Sequence, residues 1–450
     1  MILTEKEIQV ELNRGMLRHC TPLRNFLYGA LLYLVMLILA PVTINAEYDF
    51  SAACYIIFCS LAFIGGCVVI PAPSLSEEAF VTYSAAQLKK IATILFALSA
   101  LATLAKFYDT FFIRDLSASQ NAYENRVAST GGSANPVAVV AAFFMYAPYL
   151  LLALMFCFEK QFRMVEKLLI WAMFGVQLFY PVLVGSRSGL LFPLVFLVLL
   201  CLYFRKIKLR FNLKTIVVAI VVLLVGCTVA GKMYSDRIFI VNPHAVVADA
   251  SRSEEGAAAT VPANDTVYEL IYNSKDIPLV PDFLVGYVNI FQYYLHGFFE
   301  FPVQKRHVDT VLRRHTNGAY MFGIYIKFFD AVLGNRGSKI RMSAFAHPGI
   351  FNSVFGPIYT DFGWFGIIVM FLWGCIQKAV WLSVYRTGNI ILLPWVFLGG
   401  MIIFLFPLLN LFPGPLCYAF TFIIVMYFLF PQQKPAAEPE DAAAQTARED

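Results

Sequence analysis

Apolar stretches of roughly membrane-crossing length recur along the chain, parted by short polar segments. A helix needs about 20 apolar residues to cross about 30 Å of hydrocarbon, and on that measure the pattern predicts about ten spans. They fall at 25–46, 52–70, 91–113, 137–158, 168–184, 190–204 and 215–230, then after a long break at 362–384, 390–411 and 415–430. Two aromatic stretches within the break, "PDFLVGYVNIFQYYLHGFFEFP" and "GAYMFGIYIKFFDAV", could each add a short span, which gives a range of about 10–12. The run from 168 to 204 is about twice the length of one span. "GSRSG" at 185–189 therefore reads as a tight turn between two helices.

Composition settles the class. Of 450 residues, 59% are hydrophobic and only 14% charged, with a mean hydropathy of +0.69. A soluble core does not need so much apolar sequence, so the chain is expected to be an all-α polytopic membrane protein. The net charge of +5 is small and spread along the chain, which argues against a nucleic acid partner. Nine cysteines lie almost entirely within apolar runs and read as small helix residues, not as a disulfide framework or thiolate metal cluster. No GxxxxGK[ST] motif points to an ATP-driven pump, and no HExxH or Asp-x-Asp pattern to a metal or nucleotide-sugar site. His307 and His315, eight residues apart, form only a weak metal pattern, so neither metal nor cofactor is expected. The ladder of intramembrane acids typical of proton-coupled transporters is missing as well.

Basic residues in short loops orient the chain. Lys6, Arg14, Arg18 and Arg24 precede the first span; Lys89 and Lys90, then Lys160, Arg163 and Lys167, then "RKIKLRFNLK" at 205–214 mark three more basic loops. Alternation puts all of these in the cytoplasm if the N-terminus is there, and puts 114–136 and GSRSG outside. The expected organisation is a cytoplasmic segment at 1–24, seven spans within 25–231, a large extracytoplasmic loop at 232–361, three spans within 362–430, and a disordered cytoplasmic tail at 431–450. The N-terminal segment is too long and too mixed in charge for a signal peptide.

Arg187 is the exception in an apolar region, with Lys167 and Arg205 the nearest charges in sequence. A lone charge in hydrocarbon costs about 2.5 kcal/mol or more, so it should face protein, water or a ligand. Gly185 permits a sharp reversal, and Ser186 or Ser188 can cap the next helix. Free N–H groups at a helix start favour anions, and a guanidinium there can grip phosphate oxygens with two parallel bonds. The alternative is an arginine snorkelling to lipid headgroups. Five of the six histidines lie in the large loop. Its aromatic stretch, with Tyr287 and Tyr294, reads either as an interfacial helix or as a platform for sugar rings.

The outward "GSRSGLL" turn, the large late loop and the segment "HPGIFNSVFGPIYTDFGWFGIIV" together resemble the bacterial O-antigen polymerases (Wzy type) and the related O-antigen ligases. In the closing signature of those groups a loop His or Asn precedes an acidic-x-Gly-x-x-Gly approach to the next helix. The matching positions are His347, Asn352, Asp361, Gly363 and Gly366. Ligases usually have Asn after the His and a shorter gap to the acid; here Pro348 follows His347, which weighs against a ligase. The resemblance implies a GT-C-like, multi-pass glycosyltransferase of the bacterial inner membrane. It would polymerise undecaprenyl-diphosphate-linked oligosaccharides without a cofactor, in contact with membrane lipids, alongside a flippase and a chain-length regulator.

Under that resemblance Arg187 would stabilise the departing diphosphate, with Ser186, Ser188, Arg314 and Arg341 as further phosphate contacts, and His347 would serve as general base. Tyr287, Tyr294, Asn352 and Asp361 would contact substrate, although an acid at a helix start is also an ordinary cap. The rivals are an O-antigen ligase acting on lipid A core, a dolichyl-phosphate-type transferase using Glu47 and Asp49 with a metal, and a lipid-linked oligosaccharide flippase or other transporter.

Overall fold

The computed structural model describes residues 8–9, 14–45, 49–71, 82–83, 85–116, 125, 136–184, 186–206, 217, 221, 224–229, 231–232, 235, 247–252, 257–323, 325, 346–347, 353–407 and 417–430. Most of them are helical. Ile8–Gln9 and Thr82–Tyr83 form a two-residue antiparallel ladder. The tail expected to be disordered at 431–450, Glu47, Arg341 and Asn352 lie outside the described residues, as do the side chains of Arg187 and Ser188.

The helices used below are α1 (Pro22–Leu39), α2 (Phe50–Val69), α3 (Ala85–Tyr108), α4 (Pro136–Phe144), α5 (Ala147–Cys157), α6 (Met164–Leu183), α7 (Arg187–Tyr203), α8 (Asp265–Asn273), α9 (Val280–Phe299), α10 (Phe301–His307), α11 (Phe355–Phe362), α12 (Gly366–Thr387), α13 (Leu393–Phe404) and α14 (Cys417–Leu429). Among the described residues, six helical stretches are long and apolar enough to cross a membrane: Pro22–Leu39, Phe50–Val69, Ala86–Ile113, Val140–Cys157, Met164–Leu183 and Phe355–Thr387. Gly189–Tyr203, Leu393–Phe404 and Cys417–Leu429 are shorter apolar helices. The chain is a mostly helical, multi-pass membrane protein.

Local chemistry explains the helix starts. Thr21 accepts the Arg24 amide at 3.2 Å while Pro22 takes the first helical position of α1. Asp49 caps α2 through the amides of Ser51 and Ala52 at 2.8 and 3.2 Å. Several boundaries differ from the apolar pattern. The third span begins at Ala85, which takes Lys89 and Lys90 into the first turns of α3, where long stems can run along the helix while the charges stay exposed. The span at 137–158 is broken at Met145–Tyr146, and Pro148 stands in the first turn of α5, where its missing N–H leaves no bond unmade. Asp361, expected at the start of a helix, instead lies near the end of α11, before a break at Gly363.

Small residues decide the packing. A Cβ at Gly66 of α2 would overlap the Phe371 carbonyl of α12, and one at Gly374 would overlap the Phe63 carbonyl in return. Likewise Gly29 of α1 meets the Phe404 carbonyl of α13, and Gly400 lies against Asn25. Residues 25 and 29 of α1 meet 400 and 404 of α13, and Tyr55 and Gly66 of α2 meet Gly366 and Phe371 of α12, so both pairs run parallel. Parallel crossing helices need an odd number of crossings in the chain between them, which the spans read between 91 and 230 supply for α2 and α12. Without a hydrophobic force between helices in lipid, such backbone contact is the main source of attraction.

The segment after the seventh expected span packs back onto this bundle. Gly286 of α9 meets the Cys227 carbonyl and Gly231 meets that of Asp282, so α9 runs antiparallel to the segment at 227–231. Its far half reaches α1, where the Tyr33 hydroxyl donates to the Leu295 carbonyl at 3.4 Å. Extended pairing of Val42 with Ala263, and a 2.9 Å bond from the Thr43 amide to the Pro262 carbonyl, tie the end of α1 to the same block. An aromatic core runs between the helices, with Phe63 5.3 Å from both Phe26 and Phe406.

The orientation read from the basic loops makes a direct prediction. On a cysteine-free background, a cysteine at exposed Lys275 should react with an impermeant maleimide added outside intact cells, and one at exposed Lys160 should not. The opposite labelling pattern would invert the topology.

Candidate functional site

Glu300 stands at the junction of α9 and α10, where backbone packing buries it to 2% side-chain exposure. One carboxylate oxygen lies 2.6 Å from His347 Nδ1, and the other accepts the Thr260 hydroxyl at 3.0 Å. The His347 side chain is 53% exposed. With Nδ1–H donated to Glu300, a neutral imidazole carries its lone pair on Nε2, on a ring that solvent or substrate can reach. A buried carboxylate orienting an accessible imidazole is one arrangement that supplies a general base.

One turn further on, Gln304 pins the loop that carries this histidine. Its Oε1 accepts the Ala346 amide at 3.0 Å and its Nε2 donates to the Thr360 hydroxyl at 2.9 Å. Thr360 in turn donates to the Gly356 carbonyl at 2.9 Å within α11. Neighbouring Asp361 is fully buried. It accepts the Thr316 hydroxyl, the Tyr320 amide at 3.0 Å and the Met321 amide at 2.7 Å. It thereby shapes the turn at 316–321, in which Asn317 and Gly318 have φ of 50° and 86°. The expectation of a helix cap gives way to this role, because the chain breaks after Asp361 instead of starting a helix there.

A second polar group flanks the pair. Lys305 Nζ lies 2.9 Å from Asp309 and 3.8 Å from Asp49, and the Tyr359 hydroxyl donates to Asp309 at 2.8 Å. Burial raises the Asp49 carboxyl, but the Ser51 hydroxyl, the Ala52 and Ser51 amides and the Lys305 charge outweigh it and hold the group below its usual range. Asp49 is thus committed to capping α2 and to Lys305. His315 stands edge-on to Tyr359 at 5.6 Å, and a Cβ at Gly363, with φ of 55°, would strike its ring. Arg314 is exposed beside it.

Tyr287 and Tyr294 lie on α9, seven residues apart. Tyr287 packs edge-on to Phe291 at 4.9 Å, while Tyr294 is partly buried against the main core.

The GSRSG turn is held by contacts of its own. The Ser186 amide donates to the Pro181 carbonyl at 2.7 Å, and its hydroxyl accepts the Gly189 amide at 3.2 Å. Ser186 therefore caps α7, and Arg187 is the first residue of that helix. Beside the turn, Leu116 packs on Leu183 and Val184, and Asn125 donates to the Leu183 carbonyl at 3.1 Å. The same segment carries Asp109, whose side chain is 1% exposed. Arg114 Nε lies 3.1 and 3.0 Å from its two oxygens, and Lys106 Nζ is 3.8 Å away.

The residues missed in sequence are Glu300 and this triad. Glu300 is a lone acid inside "FFEFP", and Lys106, Asp109 and Arg114 are charges at the end of an apolar run. A charge within or at the edge of an apolar stretch was the available signal for all four.

Comparison of the chain with known protein families, curated proteins and solved structures finds no match. The site accordingly rests on its own geometry.

Asp361 tests how the loop is held. Asp361→Ala leaves buried donors unsatisfied, each costing about 1–3 kcal/mol, so the purified variant should melt several degrees below wild type. An unchanged melting temperature would refute its role in the turn at 316–321.

Proposed function

We propose that the protein is a GT-C-like oligosaccharide repeat unit polymerase of the bacterial inner membrane, with about ten spans. Its substrates are undecaprenyl-diphosphate-linked oligosaccharides, delivered by a flippase and extended under a chain-length regulator. The observation that carries this reading is the Glu300–His347 pair, an accessible imidazole held by a buried carboxylate. On the topology read from basic loops, it faces the extracytoplasmic side, where lipid-linked units are joined.

In the proposed reaction the acceptor hydroxyl attacks the anomeric carbon of the donor glycan. His347 Nε2 takes the hydroxyl proton as the new glycosidic bond forms, and the Glu300 carboxylate stabilises the imidazolium. The bond from the anomeric carbon to diphosphate oxygen breaks, and undecaprenyl diphosphate leaves with the electron pair. Charge grows on the leaving oxygen, so a preorganised cation there lowers the barrier. Arg187, first residue of α7 behind the Ser186 cap, is assigned that role, joined by Arg314 and Arg341. General-base catalysis is worth about 10²–10⁴-fold. Glu300 is a positioning residue in this scheme.

Two outcomes follow. In a knockout complemented with variants of equal membrane abundance, Arg187→Ala and Arg187→Lys should both give lipopolysaccharide capped with a single repeat, because an ammonium cannot form the paired fork. Long ladders from Arg187→Lys would remove the phosphate role and leave headgroup snorkelling.

With purified protein and lipid-linked repeats, His347→Gln should lower kcat by about 10²-fold or more. Glu300→Gln should lower kcat with little change in KM. Normal turnover in His347→Gln would exclude it as base; a KM effect alone in Glu300→Gln would reduce that residue to a structural one.

A further inference from the structure

A cavity of about 410 Å³ opens between α3 and α6, next to the GSRSG turn and apart from the Glu300–His347 pair. Its walls include Lys106, Thr110, Phe111, Gly175, Phe179 and Tyr180. The α6 wall runs from Ala172 to Leu183, about 16 Å of helix. The lining is almost wholly apolar, and Phe179 is 51% exposed at its edge, so the cleft is open towards the lipid side of the bundle. Gly175 leaves the floor clear: a Cβ there would meet no atom within 4 Å.

The polar features gather on the α3 side. The α-helix gives way to a π-helix at Asp109–Ile113, which buries both Asp109 and Thr110. Such π segments are uncommon and concentrate at functional sites. Thr110 is 3% exposed, yet its hydroxyl has no hydrogen-bond partner among the described residues. An unsatisfied buried hydroxyl costs about 1–3 kcal/mol, and an oxygen-rich ligand group would relieve it. Lys106 Nζ sits 3.4 Å over the Tyr180 ring, and both Lys106 and Arg114 approach the Asp109 carboxylate. Arg114 thus holds the Asp109 carboxylate at 3.0 and 3.1 Å, while the Lys106 ammonium stands off at 3.8 Å and lines the cleft, where it can serve a second anion.

We infer that this cleft seats a polyprenyl phosphate, its phosphate beside Lys106 and Thr110 and its isoprenoid chain along α6 over Gly175. An apolar trough with a cationic end matches a single-chain anionic lipid, and the aromatic rings of Phe111, Phe179 and Tyr180 offer flat surfaces to the alkene units. The choice of an isoprenoid over an acyl chain rests on the polymerase reading; the charge and shape of the cleft do not. The cleft would hold a lipid-linked substrate at the turn that carries Arg187.

The test measures binding without turnover. The full-length protein in phosphatidylethanolamine nanodiscs is titrated with undecaprenyl phosphate and read by native mass spectrometry, with undecaprenol and phosphatidylglycerol as comparison lipids. Gly175→Phe fills the trough and Lys106→Met removes the lining cation while the Asp109–Arg114 pair stays in place. Each should weaken undecaprenyl phosphate binding at least tenfold, whereas Gly175→Ala should match wild type. Undecaprenol should bind far more weakly than the phosphate.

Equal affinity in well-folded Gly175→Phe would overturn the site, and phosphatidylglycerol competing equally would assign the cleft to ordinary anionic lipid. Should Gly175→Phe fail to fold, a benzophenone-bearing undecaprenyl phosphate decides on the wild type: adducts on α3 or α6 are required, and adducts only elsewhere refute the proposal. A protein that binds the lipid here but makes no polymer would overturn the reaction and keep the cleft. One that polymerises normally yet binds equally with the trough filled would overturn the cleft alone.

Discussion

The backbone contact between α2 and α12 sets the position of everything around the candidate base. Gly66 and Gly374 let each helix rest on a carbonyl of the other, closer than any side chain would allow. That approach brings Tyr55 of α2 against Gly366 at the start of α12, with its ring 5.0 Å from Tyr359, 5.5 Å from Phe301 and 5.4 Å from Trp364. Phe301 begins α10, and α10 carries Gln304 and Lys305 just beyond Glu300. Close helix packing is thus converted through one aromatic cluster into the placement of a catalytic candidate. Lys305 completes the link by reaching back to Asp49, the cap of α2.

Four acids show how environment separates similar groups. Asp361 is enclosed by amide and hydroxyl donors and organises a turn. Asp49 ends a helix and meets a lysine. Asp109 is buried against Arg114, where breaking such a pair by removing one partner costs about 3–5 kcal/mol, with Lys106 farther off. Glu300 alone is turned onto an exposed imidazole. A buried carboxylate whose partner remains accessible has chemistry to offer, whereas one whose acceptors are all used by its own chain serves the fold. Of the two positions matched in the closing signature on either side of Pro348–Thr360, His347 is therefore the stronger site residue.

Periodicity and composition were sufficient for the class and most of the helices, because in lipid the backbone must satisfy itself and only long apolar helices do so cheaply. The turn at GSRSG was legible for the same reason: an apolar run of double length must reverse, and serine before Arg187 can cap. The broken span at Met145–Tyr146 was not legible, since apolar content continues through it, and neither was α11, which precedes the helix start read at 362 and lies in a segment read as loop. His347 could be singled out as a loop histidine, but its partner could not, being 47 residues away. By itself, then, the chain's order of apolar and basic residues determined that it crosses the membrane many times and where most crossings lie. Only the tertiary structure decided which charges are held by others, because a carboxylate becomes a positioning group, a cap or half of an ion pair through neighbours that sequence spacing does not specify.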